Sequence, residues 1–155
     1  MQLTRAADYA IRVMIHLAMD EEGARHLLPE LAAAAEVSRS FLSKVLQMLA
    51  HEGFLASWRG QAGGFELMEA GRRATVREII EAIDGPVHLN ACLVSGQDCD
   101  RKAWCPAHPV WVRAQRAMLD VLSATTIAEL AEEAKINLKN RCQLSDEVVK
   151  IAIAS

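Results

Sequence analysis

The chain has 155 residues and a formal net charge of −3, which fits about one domain and excludes a large multidomain enzyme. Its 52% hydrophobic fraction includes 26 alanines, a helix-rich composition, and no run approaches the roughly 18 apolar residues needed to span a bilayer. With no basic, small-residue-cleaved leader at its start, the chain is expected in the cytoplasm with no membrane partner. Its acidic balance argues against a broad basic footprint for nucleic acid.

Residues 4–20 read as a helix opened by Thr4, with Ala10, Val13, Met14, Leu17 and Ala18 at helical spacing. Asp8, Arg12, His16 and Asp20 follow at four-residue steps on its polar face, with Asp8 placed to pair with Arg12. A short helix over 28–36 carries Pro29 in its first turn, and Val37-Ser38 makes a tight break. The next helix, 39–51, buries Leu42, Val45, Leu46 and Leu49 and turns Arg39, Ser40, Ser43, Lys44 and Gln47 outward. Two extended runs, 54–58 and 65–68, flank Arg59-Gly60-Gln61-Ala62-Gly63-Gly64 and read as a long-tipped hairpin. Thr75-Val-Arg-Glu78 is a capping box for a helix that stops at Asp84-Gly85-Pro86.

Residues 87–107 show no sustained period and hold three of the four cysteines. A longer helix returns over 109–122 with Trp111, Ala114, Met118 and Val121 on one face. A second capping box, Thr126-Ile-Ala-Glu129, opens a short helix through Leu130, and the mixed segment from Ile136 onward is assigned no element.

Helix, tight turn, helix and glycine-tipped hairpin occur in the order of a winged helix-turn-helix. A recognition helix needs short donors and acceptors on its outer side to reach base edges, and Arg39, Ser40, Ser43, Lys44 and Gln47 supply them. A wing needs a cation on a flexible tip to approach phosphates or a narrow minor groove, which Arg59 and Gly60 supply. Gly63 and Gly64 imply a backbone that passes close to something. A plain solvated helix face is the competing reading of residues 39–47; the adjacent wing tips the balance towards DNA. From Val37 to Gly64 three Arg and Lys residues face one glutamate, a local charge of +2, so the overall acidity lies elsewhere.

In a cytosolic chain, cysteines point to metal or redox chemistry rather than disulfides. Cys92, Cys99 and Cys105 stand as C-x6-C-x5-C. The close C-x2-4-C knuckle of structural zinc sites and the C-x2-C-x2-C run of ferredoxins are both absent. Wide spacing in an open loop suits an iron-sulfur cluster, either 2Fe-2S or 4Fe-4S. The fourth ligand has two candidates, His108, three residues after Cys105, and Asp8, from a partner subunit; their bland alternatives are a helix-start histidine and a surface ion pair. Cys142 reads as a plain thiol. A zinc-stabilised interaction module remains the rival class. An enzyme or electron carrier ranks below it, since no nucleotide-binding glycine loop or acid-base pair is present and no small-molecule substrate is implied.

With MQLTRAADYAIRVMIHLA at the start, VSRSFLSKVLQML in the second helix of the turn, RGQAGGFEL in the wing and three cysteines before a long helix, residues 1 to about 133 resemble the Rrf2 family of bacterial iron-sulfur transcription regulators, IscR-like and NsrR-like members among them. The resemblance implies DNA contacts from Ser38, Ser40, Ser43, Lys44 and Arg59, cluster ligation by Cys92, Cys99 and Cys105, and a dimerisation role for the long helix. IscR-like members take a fourth ligand at the position of His108 and some NsrR-like members at that of Asp8; this chain has both. Two positions depart from the pattern: Ala62 stands where a further wing glycine is common, and Ser43 where IscR-like members carry an acidic residue.

The expectation is therefore a mainly α fold with a small β-hairpin, a winged helix-turn-helix plus a long dimerisation helix. Its parts are a DNA-binding domain at 1–86, a cysteine-rich cluster loop at 87–108, the dimerisation helix and a short following helix at 109–135, and a tail at 136–155. The expected function is a homodimeric regulator, a repressor, that binds a palindromic operator in double-stranded DNA and is controlled by cluster, redox, nitric oxide or iron status.

Overall fold

The computed structural model describes residues 3–60, 63–94 and 99–153, with side chains described up to residue 141. Helix α1, Arg5–Ala18, opens as expected: Thr4 Oγ1 accepts the Ala7 N–H at 3.2 Å. The same hydroxyl donates to Asp84 Oδ1 at 2.6 Å, which ties the start of α1 to the far end of the capping-box helix. Ala7, Ala10, Val13, Met14, Leu17 and Ala18 lie on the buried face of α1, the apolar period read from the sequence.

Strand β1, Arg25–His26, precedes α2, Leu28–Ala34, and α3, Arg39–His51. Glu36 breaks the chain between the two helices by adopting a left-handed φ of 53°. Strands β2, Leu55–Trp58, and β3, Gly64–Leu67, form the hairpin. The expected hairpin forms, and β1 extends it to an antiparallel three-stranded sheet of order β1-β3-β2, because Arg25 pairs with Glu66 and His26 with Phe65. Two residues carry no readable period, so β1 exists only through its partner.

A short helix α4, Glu69–Arg73, links the sheet to α5, Val76–Asp84. Arg72 donates to the carbonyls of Ala18 and Asp20, both at 2.9 Å, and so satisfies acceptors left over where α1 ends. Gly71 packs so tightly that a Cβ there would run into the Phe54 carbonyl oxygen and the side chains of Leu67 and Met14.

After a single 3-10 turn, Ala91–Leu93, the chain forms α6, His108–Ala124, and α7, Ile127–Ile153. Here α7 continues well past Leu130, through the segment assigned no element from sequence. Its start returns to the winged-helix body. Ile127 and Ala131 are buried in the common core with Met14, Leu31, Leu42, Leu46, Leu49 and Ile79. By contrast, α6 buries no residue.

The two capping boxes meet at this return. Val76 N–H donates to Thr125 O at 3.0 Å and Ile127 N–H to Ala74 O at 2.9 Å, which makes an antiparallel bridge of Thr75 and Thr126. Each box is closed by its glutamate. Glu78 Oε2 accepts from the Thr75 N–H at 2.7 Å, and Glu129 Oε2 from the Thr126 N–H at 2.8 Å. These backbone bonds, then the threonine hydroxyls, hold both carboxyls below the ordinary glutamate range. A carboxyl depressed in the folded state adds stability above its unfolded pKa, and that stability is lost as pH falls through the folded value. We therefore expect thermal stability to drop below about pH 4.5, and Glu78→Gln to flatten that drop while lowering the melting temperature at neutral pH. Thermal denaturation of both proteins at several pH values checks this; an identical profile for the variant would exclude the capping box as a contributor.

Candidate nucleic-acid interface and cysteine cavity

Ser38 is the N-cap of α3, its Oγ accepting the Phe41 N–H at 3.3 Å. It also lies 3.3 Å from Ser40 Oγ. Leu42, Val45, Leu46 and Leu49 anchor the inner face of α3, so Arg39, Ser40, Lys44 and Gln47 project into solvent. Ser43 is half-buried and accepts from Gln47 Nε2 at 3.4 Å, which couples two of the expected readers one helical turn apart. Among the described residues Arg39, Lys44 and Arg59 make no ion pair, so their charge is uncommitted.

Tyr9 was not singled out by sequence. Its ring meets that of Phe41 edge-on at 5.6 Å and fixes α3 against α1, while the guanidinium groups of Arg5 and Arg12 lie 6.0 Å from it. The i, i+4 and i, i+3 spacings of Arg5, Tyr9 and Arg12 mark that face in the sequence only weakly, because the Phe41 contact is long-range.

Gly63 N–H donates to Gly60 O at 3.0 Å and closes the wing tip; Gln61 and Ala62 lie outside the described residues. The close approach implied by Gly63 and Gly64 is to the chain itself. A Cβ on Gly63 would lie 2.5 Å from Trp58 O, and one on Gly64, whose φ is +143°, 2.7 Å from His26 O. At the wing base Arg25 stacks over Trp58 at 4.2 Å and binds Glu66 Oε2 at 3.2 Å. Arg59 thus extends from a braced strand end.

Cys92, Cys99 and Cys105 are free, half-buried thiols that line one open cavity of about 550 Å³, with Asp100, Arg101 and Trp111 around them. Cys105 sits in the turn that starts α6: its N–H donates to Arg101 O at 2.7 Å and its carbonyl accepts from His108 N–H at 3.2 Å. Among the described residues no three His, Cys, Asp or Glu side chains stand close enough to hold a single metal ion. Three thiols lining one cavity suit an iron-sulfur group in donor chemistry, though the structure does not gather them around a single point.

The fourth-ligand candidates lie elsewhere. His108 is on the wall of an adjoining cavity that shares Cys92, and its Nδ1 is buried without a hydrogen-bond partner. Asp8 Oδ2 pairs with Arg12 Nε at 3.0 Å and does not line the cysteine cavity of its own chain. The side chain of Cys142 lies outside the described residues.

Residues 3–133 match the profile of the Rrf2 family, described as iron-dependent transcriptional regulators. The chain belongs to the Rrf2 family. It is similar to the IscR regulator of Erwinia tasmaniensis, with 28% identity over 148 residues covering 96% of this chain and 89% of that protein. The NsrR regulator of Geobacillus kaustophilus shares 29% over 134 residues, covering 86% of this chain and 91% of that protein. Among solved structures, the oxidised form of Staphylococcus aureus CymR matches with a TM-score of 0.67 and 27% identity, over 85% of this chain and 97% of that one. This Rrf2-family protein is accordingly a transcriptional regulator and not an enzyme. Among the described residues no helix is long and apolar enough to cross a membrane.

The wing geometry makes a direct prediction. Gly64→Ala forces a side chain into both a disfavoured φ and the His26 carbonyl, so it should cost about 2–3 kcal/mol. Urea unfolding measures that loss, and hydrogen exchange should show faster opening at Arg25 and His26.

Proposed function

We propose that this Rrf2-family regulator binds a palindromic operator in double-stranded DNA as a homodimer, represses from it in the cytoplasm, and carries an iron-sulfur cluster as its sensor. The observation that carries the DNA reading is the division of α3. Four buried leucine and valine side chains hold one face rigid, and Arg39, Ser40, Lys44 and Gln47 project from the other, with Arg59 and Gly60 following in the wing. In this reading Arg39, Lys44 and Gln47 reach base edges or phosphates, and Ser38, Ser40 and Ser43 supply short hydroxyl contacts near the helix start. Arg59 enters the minor groove or meets its phosphates. The mildly acidic chain leaves little non-specific attraction, so affinity rests on two winged helices engaging two half-sites together.

Dimerisation is supported by α6, where Val110 and Val121 share one face and are exposed although apolar. A second copy of the helix would cover them. Cys92, Cys99 and Cys105 would hold the cluster, with His108 or a partner's Asp8 as the remaining ligand. When bound, such a group supplies one-electron redox chemistry and reactivity towards oxygen and nitric oxide. The chain's own part is mechanical. Cys105 lies one turn before α6, and the Cys92 segment is tied to α6 where Leu89 N–H donates to Gln115 Oε1 at 2.9 Å. Drawing the thiols together therefore bears on both ends of the loop and on the helix that sets the spacing of the two heads. A bias of about 1.4 kcal/mol between two head spacings changes operator occupancy tenfold.

Fluorescence anisotropy with the protein's own upstream DNA tests the reading head. Arg59→Ala should weaken binding and reduce the salt slope by about 1, and Ser40→Ala should weaken it with less change in slope. Unchanged affinity and slope in both would overturn the assignment. Anaerobic purification tests the sensor: a coloured protein containing iron and sulfide is expected, lost in Cys92→Ser, Cys99→Ser or Cys105→Ser, whereas a colourless zinc protein would overturn the cluster.

A further inference from the structure

A second cavity, of about 510 Å³, lies behind the cysteine loop between α5 and α6 and opens to solvent. Cys92 lines this cavity as well as the three-cysteine one, so this residue borders both. Among the described residues the lining carries a positive excess: Arg77 comes from α5, Lys102 from the loop and Arg116 from α6, against the carboxylate of Asp120. Part of this charge is already engaged. Arg77 Nε holds Glu81 Oε1 at 3.1 Å, and Arg116 Nε approaches Asp120 Oδ2 only to 4.0 Å with both side chains well exposed. Lys102 makes no ion pair among the described residues, and even with Glu81 counted the wall keeps a positive excess. His108 adds a buried Nδ1 with no partner on the same wall.

A cavity with this lining favours small anions carrying more than one acidic group, held by guanidinium and ammonium donors. What distinguishes it from a plain anion site is the thiol at its edge. We infer that, in the metal-free chain, this cavity docks an anionic low-molecular-weight disulfide and directs thiol-disulfide exchange onto Cys92. The Cys92 thiolate attacks one sulfur of the bound disulfide. One S–S bond breaks and one forms, the leaving half departs as its thiolate, and Cys92 is left as a mixed disulfide. The small disulfide is the oxidant, and no other co-reactant is needed. Because the modified sulfur is also one of the three cavity thiols, the adduct excludes Cys92 from any group held there. The docking step depends on the cationic wall and stands whether or not the chain carries a cluster.

Single-cysteine proteins test the inference directly, with the other three cysteines changed to serine and the metal-free protein treated with either oxidised glutathione, which is anionic, or cystamine, which is cationic. Intact-mass spectrometry follows the rate. The protein retaining Cys92 should react with oxidised glutathione faster than those retaining Cys99 or Cys105, by a factor on the order of 3–10 that shrinks as salt is raised. Lys102→Gln with Arg116→Gln should remove that advantage and leave or raise the rate with cystamine. Circular dichroism confirms that each variant is folded, and the cystamine rate serves as a control for simple exposure. Equal rates at the three cysteines, or the same preference for both disulfides, would overturn the cationic docking site, as would an unchanged glutathione rate in the doubly neutralised variant.

Discussion

The backbone bridge between Ala74-Thr75 and Thr125-Thr126 is the constraint on which the rest of the molecule depends. It joins the N-termini of α5 and α7, each closed by its own threonine-glutamate box, and sets Ile127 and Ala131 into the core beside α1. The segment between the two boxes, which includes the cysteine loop and α6, becomes an excursion pinned at both ends. Without that return, α6 would be held only by the loop and by half-buried contacts with α5, since none of its residues is fully buried. Closing the excursion costs chain entropy that grows only slowly with its length, and burial of two apolar side chains with two backbone hydrogen bonds offsets it.

This arrangement separates rigidity from responsiveness. The winged-helix body rests on a continuous core: α1 holds α3 through Tyr9 and Phe41, and Arg72 closes the end of α1 from α4. The cysteine loop rests on little, with three half-buried thiols at the edge of open cavities and a few hydrogen bonds to α6. Local stability follows buried contact. Among the described residues the thiols therefore sit in the less deeply buried part of the molecule, whereas α3 is anchored by four fully buried side chains.

The wing shows how a correct sequence observation can acquire a different physical meaning. Gly63 and Gly64 do mark a close backbone approach, but to Trp58 and His26 of the same chain. Their task is to let β1 and β2 flank β3, which braces the strand that leads to Arg59. Ser38 is similar, since its hydroxyl caps α3 before it is available to anything else. The two glycines were legible as special; which partner makes them so depended on strands meeting in space.

By itself the sequence determined what short-range chemistry controls. The 3.6-residue apolar period placed α1, α3 and α5, threonine caps set the starts of α1 and α5, and the spacing of Cys92, Cys99 and Cys105 marked a thiol loop. Tertiary structure alone decided the features that need partners distant in the chain. The two residues of β1 become a strand only against Glu66 and Phe65, and α7 joins the core only because the Thr75 bridge receives it. His108 falls on a cationic cavity next to the thiols rather than among them, because α6 begins at that residue and its first turn faces α5. Periodicity and capping act within a few residues and can be read along the chain. Pairing, burial of a helix end and the lining of a cavity are set by contacts whose spacing the linear order does not contain.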